Sequence, residues 1–149
     1  MPIDNDVYLG NPNLKKANTQ IEYTEEQIIE FLRCKEDPVY FANNYMKIVS
    51  LDEGLVQFKP YDFQEKLITN FHENRFNICK MPRQTGKSTT SVAYLLHYCV
   101  FNDSVNIGIL ANKAATARDL LGRLQTAYEN LPKWMQQGII AWNKGSLEL

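Results

Sequence analysis

Nine consecutive residues, Met81-Pro82-Arg83-Gln84-Thr85-Gly86-Lys87-Ser88-Thr89, have the types and spacing that hold a phosphate chain. A loop ending in Gly-Lys-Ser turns successive backbone N–H groups inward on a β-phosphate, and the helix after it adds the positive end of its dipole. In that reading Lys87 reaches the β- and γ-phosphates, the Ser88 hydroxyl ligates Mg²⁺, and Gln84, Thr85, Gly86 and Thr89 line the nucleotide. The template opens on a Gly, and Met81 holds that position here. Arg83 stands where small residues are common. Its guanidinium can reach a γ-phosphate and stabilise transition-state charge as an arginine finger supplied within the chain; the competing role is an ion pair with a nearby carboxylate.

Hydrolysis asks for more: an acidic residue at the end of another strand to hold the metal, and a group to orient water. After Lys87 the acids are Asp103, Asp119, Glu129 and Glu148, and none follows a run of four apolar strand residues. The second half of a hydrolytic site is therefore not expected here. His72 and His97 have no Cys or carboxylate at ligand spacing and read as an exposed and a packed helix residue. Cys34, Cys79 and Cys99 are odd in number and widely spaced, which suits small core residues in a reducing compartment.

The elements around the loop follow from periodicity and punctuation. Phe76-Asn77-Ile78-Cys79 reads as a short strand leading in, and Ser88 to Phe101 as a helix nearly free of charge, suited to burial beside a sheet. Upstream, residues 1–20 read as a mobile N-terminal arm, and residues 21–60 as a helical lead and a β-hairpin. Thr24 with Gln27 forms a capping box, and Asp37-Pro38 caps a second, aromatic helix. Lys47–Ser50 and Leu55–Phe58 flank a turn, Leu51-Asp52-Glu53-Gly54, with Pro60 stopping the second strand. Tyr61–Glu73 is amphipathic, with Phe63, Leu67, Ile68 and Phe71 on one side. Downstream, Val105–Ala111 reads as a strand buried on both faces of a parallel sheet, Ala114–Asn130 as an amphipathic helix, and Gly138–Trp142 and Leu147–Leu149 as strands joined by Asn143-Lys144-Gly145. The expected fold is α/β, a mainly parallel phosphate-loop sheet with flanking helices, each crossover right-handed.

Composition narrows the classes. The chain has 149 residues, 44% hydrophobic, with a formal charge of −1, so its overall charge gives no sign of nucleic-acid binding and any DNA contact needs a local patch. No signal-peptide pattern and no apolar stretch of membrane-spanning length is present.

The loop Met81–Ser88 resembles the Arg-Gln-x-Gly-Lys-Ser/Thr phosphate loop of the large terminase subunits of tailed bacteriophages, the ATP-driven motors that package DNA into a procapsid. Phe58-Lys59-Pro60-Tyr61-Asp62-Phe63-Gln64 resembles their adenine-sensing segment, ending in a Gln a little over twenty residues before Lys87. Gly108–Lys113, Leu131–Ile139 and Trp142–Ser146 resemble later stretches of the contractile-tailed branch. The similarity runs from roughly Thr24 to Leu149 in matching order. It implies a RecA/ASCE-like fold, ATP and Mg²⁺ as cofactors, adenine recognition by Gln64, and catalytic roles for Arg83 and Lys87. It also implies double-stranded DNA, the portal protein, the small terminase subunit and a homo-oligomeric ring as partners, in the cytoplasm of an infected bacterium. Family members continue through an Asp-Glu strand end and a nuclease domain, so residues 61–149 are expected to be the first part of the ATPase domain and the chain an N-terminal fragment. Two alternatives stand beside this: a superfamily 2 helicase-like fragment, and a non-catalytic chain that binds nucleotide or a partner.

Overall fold

A computed structural model describes residues 6–50 and 52–149. Residues 1–5 of the expected arm and Leu51 of the expected turn lie outside the described residues. The chain is mixed α/β: among the described residues it has five helices and three two-stranded antiparallel sheets.

The helical lead forms as its caps dictate. Helix α1, Glu25–Glu36, starts where the Thr24 hydroxyl accepts the Gln27 N–H at 3.2 Å and the Gln27 side chain accepts the Thr24 N–H at 3.1 Å. Asp37 ends it and opens α2, Pro38–Tyr45, by accepting the Tyr40 N–H at 2.9 Å. The two helices are tied at Glu30, whose Oε1 accepts both the Tyr40 and Tyr45 hydroxyls at 2.8 Å. Strands β3, Lys47–Ser50, and β4, Gly54–Gln57, then pair in register from Lys47↔Gln57 to Ser50↔Gly54. Gly54 has φ +73°, the left-handed turn that favours glycine.

Three helices follow: α3, Asp62–Glu73, α4, Lys87–Phe101, and α5, Ala114–Glu129. Helix α4 is the axis of the core. Its Val92, Ala93, Leu96, Val100 and Phe101 are buried with Phe41 of α2, Ile68 of α3 and Leu124 and Tyr128 of α5. The absence of charge along α4 thus has a cause other than the expected one, since helices rather than a sheet surround it.

The mainly parallel sheet is not formed among the described residues. The segments 75–81 and 105–111 belong to no strand ladder, and Phe76, Ile78 and Leu110 are 83%, 100% and 92% exposed. Apolar content alone does not make a strand; a central strand needs a backbone neighbour on each edge, and no described segment pairs with either stretch. Val105, Ile107 and Ile109 alternate with exposed neighbours, so this segment covers the molecule on one side only, not two. Cys79, expected in the core, is exposed in the same bare stretch, whereas Cys34 is buried.

Part of the expected arm forms a hairpin that packs on the rest of the chain. Strands β1, Val7–Tyr8, and β2, Asn11–Lys15, form a bulged hairpin, and the following Lys16 bridges Ile139 in parallel. Gln136, 2% exposed, holds the hairpin in place. Its Oε1 accepts the Lys15 N–H at 3.0 Å, and its Nε2 donates to the carbonyls of Asn13 and Leu131 at 2.8 and 2.9 Å. Gly138 is needed there because a Cβ would overlap the Ala17 backbone. Polar, turn-rich sequence hid this packing, which depends on one glutamine more than a hundred residues away. The chain ends in the hairpin of β5, Ala141–Trp142, and β6, Leu147–Glu148, whose Asn143 Oδ1 accepts the N–H groups of Gly145 and Ser146 at 2.8 Å.

Candidate phosphate-binding site

The Gly-Lys-Ser triplet sits at a helix start. Gly86 is the residue before α4, with φ +73° and ψ 18°, and Lys87 and Ser88 are the first two helical residues. No side chain caps this end, so the first-turn N–H groups carry the positive end of the α4 dipole without a built-in anion. Gln84 is also left-handed, at φ +63°, a conformation that costs a non-glycine residue energy and that folds the loop back on itself.

The loop is closed by its own hydrogen bonds. The Thr85 hydroxyl donates to the Pro82 carbonyl at 3.0 Å, and the Thr90 N–H and hydroxyl both donate to the Gly86 carbonyl, at 2.9 and 3.0 Å. Lys87 Nζ curls over the loop and donates to the Met81 and Pro82 carbonyls at 3.0 and 2.7 Å. An ammonium bound to neutral carbonyls keeps its full charge, so it can exchange those acceptors for phosphate oxygens.

Each residue proposed from sequence has a place. Thr85, Gly86, Lys87 and Thr89 are half-buried, while Arg83, Gln84 and Ser88 are exposed. Arg83 makes no ion pair among the described residues, so the carboxylate partner weighed for it from sequence is not found. Gln64 is brought to the loop from the N-terminal turn of α3. It is 4% exposed, its Oε1 accepts the Tyr61 N–H at 2.9 Å, and its Nε2 donates to the Thr85 carbonyl at 3.2 Å. Beside it the Tyr61 and Phe63 rings stack at 5.8 Å and 11°, both largely exposed. The sequence groups Phe63 with Leu67, Ile68 and Phe71 on one side of α3; Leu67 and Ile68 are buried, but Phe63 is not. The buried position is Gln64, and the signal that could have shown it is the N-cap to third-residue spacing of Tyr61 and Gln64.

Of the four acids that follow Lys87, Asp119 and Glu129 are engaged, and Asp103 and Glu148 lie away from the loop, Glu148 in a cleft that no loop residue lines. Asp119 accepts from Arg123 at 3.0 Å on the outer face of α5, and Glu129 accepts from the Asn11 side chain at 2.8 Å. Asp103 lies past the C-terminal end of α4, about 20 Å along the helix from the loop at 1.5 Å per residue. Among the described residues no cluster of three or more His, Cys, Asp or Glu could hold a metal by itself. A cleft of about 620 Å³ opens at that far end of α4, between residues 104–109 and 145–149, and contains none of the loop residues. No helix among the described residues is long and apolar enough to cross a membrane. No protein-family model matches the sequence.

Proposed function

We propose that these residues are the ATP-binding part of a DNA-packaging motor subunit of the tailed-phage terminase type. The observation that carries the reading is the joining of three features at one point: Gly-Lys-Ser at an uncapped helix start, a left-handed turn at Gly86, and a buried Gln64 amide touching the loop at Thr85. The residues fit a magnesium nucleotide. The N–H groups of Thr85 to Thr89 and the Lys87 ammonium would hold the β- and γ-phosphates, Ser88 would meet the metal, and the unpaired Arg83 would face the γ-phosphate. Bound Mg²⁺ would neutralise charge on the phosphate oxygens.

The finer fold, a phosphate-loop sheet of the RecA type, belongs to this proposal. Segments 75–81 and 105–111 would be two of its strands, paired with strands beyond those described. Double-stranded DNA, the portal, the small terminase subunit and a ring of like subunits would be the partners, in the infected bacterial cytoplasm. A non-catalytic nucleotide-binding role is the second reading for these residues taken alone, since Asp119 and Glu129, two of the acids that follow Lys87, are already paired.

Titration calorimetry with Mg-ATP tests the site. Lys87→Ala removes a charge-assisted contact of about 1.5 to 3 kcal/mol, so affinity should fall at least tenfold. Equal affinity in variant and parent would refute a phosphate site at this loop.

A further inference from the structure

We infer that Gln64 is a positioning residue of the phosphate loop, acting through the Thr85 carbonyl to aim the Gly86 N–H; this deepens the nucleotide-site reading and rests on it. Both ends of the amide are engaged with backbone: Oε1 takes the Tyr61 N–H at the start of α3, and Nε2 gives a hydrogen to Thr85 O. The first bond fixes the side chain to its own helix. The second carries that fixed point across to the loop.

A peptide unit is planar and trans, so its C=O and N–H point in opposite directions. Holding Thr85 O toward α3 therefore turns the Gly86 N–H away from α3. The amide can come this close only because residue 86 is glycine, since a Cβ there would overlap Gln64 Nε2. Gly86 thus answers two demands at once, the left-handed φ of +73° and the approach of the amide. The amide itself is shielded from water, as Gln64 is 4% exposed.

The consequence is that Gln64 governs the affinity for the phosphate chain and not only for the base. Gln64→Glu separates its two bonds: a carboxylate still accepts the Tyr61 N–H but meets Thr85 O without a hydrogen to give. Titration calorimetry on the 149-residue chain, with Mg-ATP and with inorganic magnesium triphosphate, reads the difference. Affinity for both ligands should fall by the same factor, about three- to tenfold for one lost hydrogen bond. Acidification should restore it relative to the parent at the same pH, because the protonated carboxyl again donates to Thr85 O. In the ligand-free chain, amide exchange at Gly86 should be faster in Gln64→Glu. Unchanged triphosphate affinity beside weakened ATP would make Gln64 a reader of the base and overturn the inference alone. If the parent and Lys87→Ala bind triphosphate equally, the nucleotide site itself falls and the inference with it.

Discussion

His97 shows how one side chain sets a pH dependence for the whole core. It is 2% exposed, sits edge-on to Phe41 and against Phe101, and has its Nε2 2.9 Å from the Cys34 carbonyl. Its Nδ1 has no partner, so the Nε2–H form donates to Cys34 and the other nitrogen stays bare. Burial pulls the imidazole down from 6.5 to about 4; the Cys34 carbonyl resists, and His72 on α3 adds to the lowering. The unfolded chain therefore takes up a proton near pH 6.5 that the folded chain refuses until about pH 4. Stability from this group is complete above pH 6.5 and declines as pH falls through that window. At pH 4.5 the loss is about 2 to 3 kcal/mol. Urea melts of the parent and of His97→Phe, each at pH 7.5 and 4.5, should show losses of unfolding free energy that differ by that amount, with the variant declining less. Equal declines would place the acid sensitivity in the carboxylates.

At the scale of elements, what could be read in advance was what local chemistry decides. Thr24 with Gln27, Asp37 with Pro38, Gly54, and Asn143 with Gly145 each announce a cap or turn through residues a few positions apart, and each forms as expected. Gly-Lys-Ser likewise falls at the head of α4. What could not be read depends on distant partners. The hairpin β1–β2 is held by Gln136, and neither partner advertises the other in its own neighbourhood. Nor does periodicity distinguish an apolar stretch paired on both edges from one left bare, which is why 76–79 and 105–111 read as strands. The clasp is testable on its own. Gln136→Ala leaves the Lys15 N–H and the carbonyls of Asn13 and Leu131 without partners in a dry site, at a cost of about 1 to 3 kcal/mol. Denaturant unfolding of the variant should show that loss, and exchange of the Lys15 amide should rise with it. A loss under about 0.5 kcal/mol would mean that water replaces the glutamine freely.

Over the whole molecule, the helical core is packed while two extended segments, 75–81 and 105–111, pair with no strand among the described residues. Phe76, Ile78 and Leu110 stand almost fully in solvent on extended backbone with free hydrogen-bonding edges, an arrangement that invites pairing with another chain. Replacing Ile78 and Leu110 by Lys should cost the fold almost nothing, since neither is buried, and should reduce self-association in sedimentation. Turnover is the sharper test of the same picture. Phosphoryl transfer to water needs a metal-holding carboxylate and a group that orients the water. Asp119 and Glu129 are already paired, and Asp103 lies at the opposite end of α4 from Lys87. The chain should therefore bind Mg-ATP and release no phosphate above background. On the terminase-type reading proposed above, mixing it with the downstream half of a terminase large subunit should raise both turnover and solubility, and Lys87→Ala should abolish the gain. Steady phosphate release by the monomeric chain alone, lost in Lys87→Ala, would show that some acid described here reaches the loop. In that event the separation proposed here between ATP binding at the loop and hydrolysis by acids elsewhere would have to be given up.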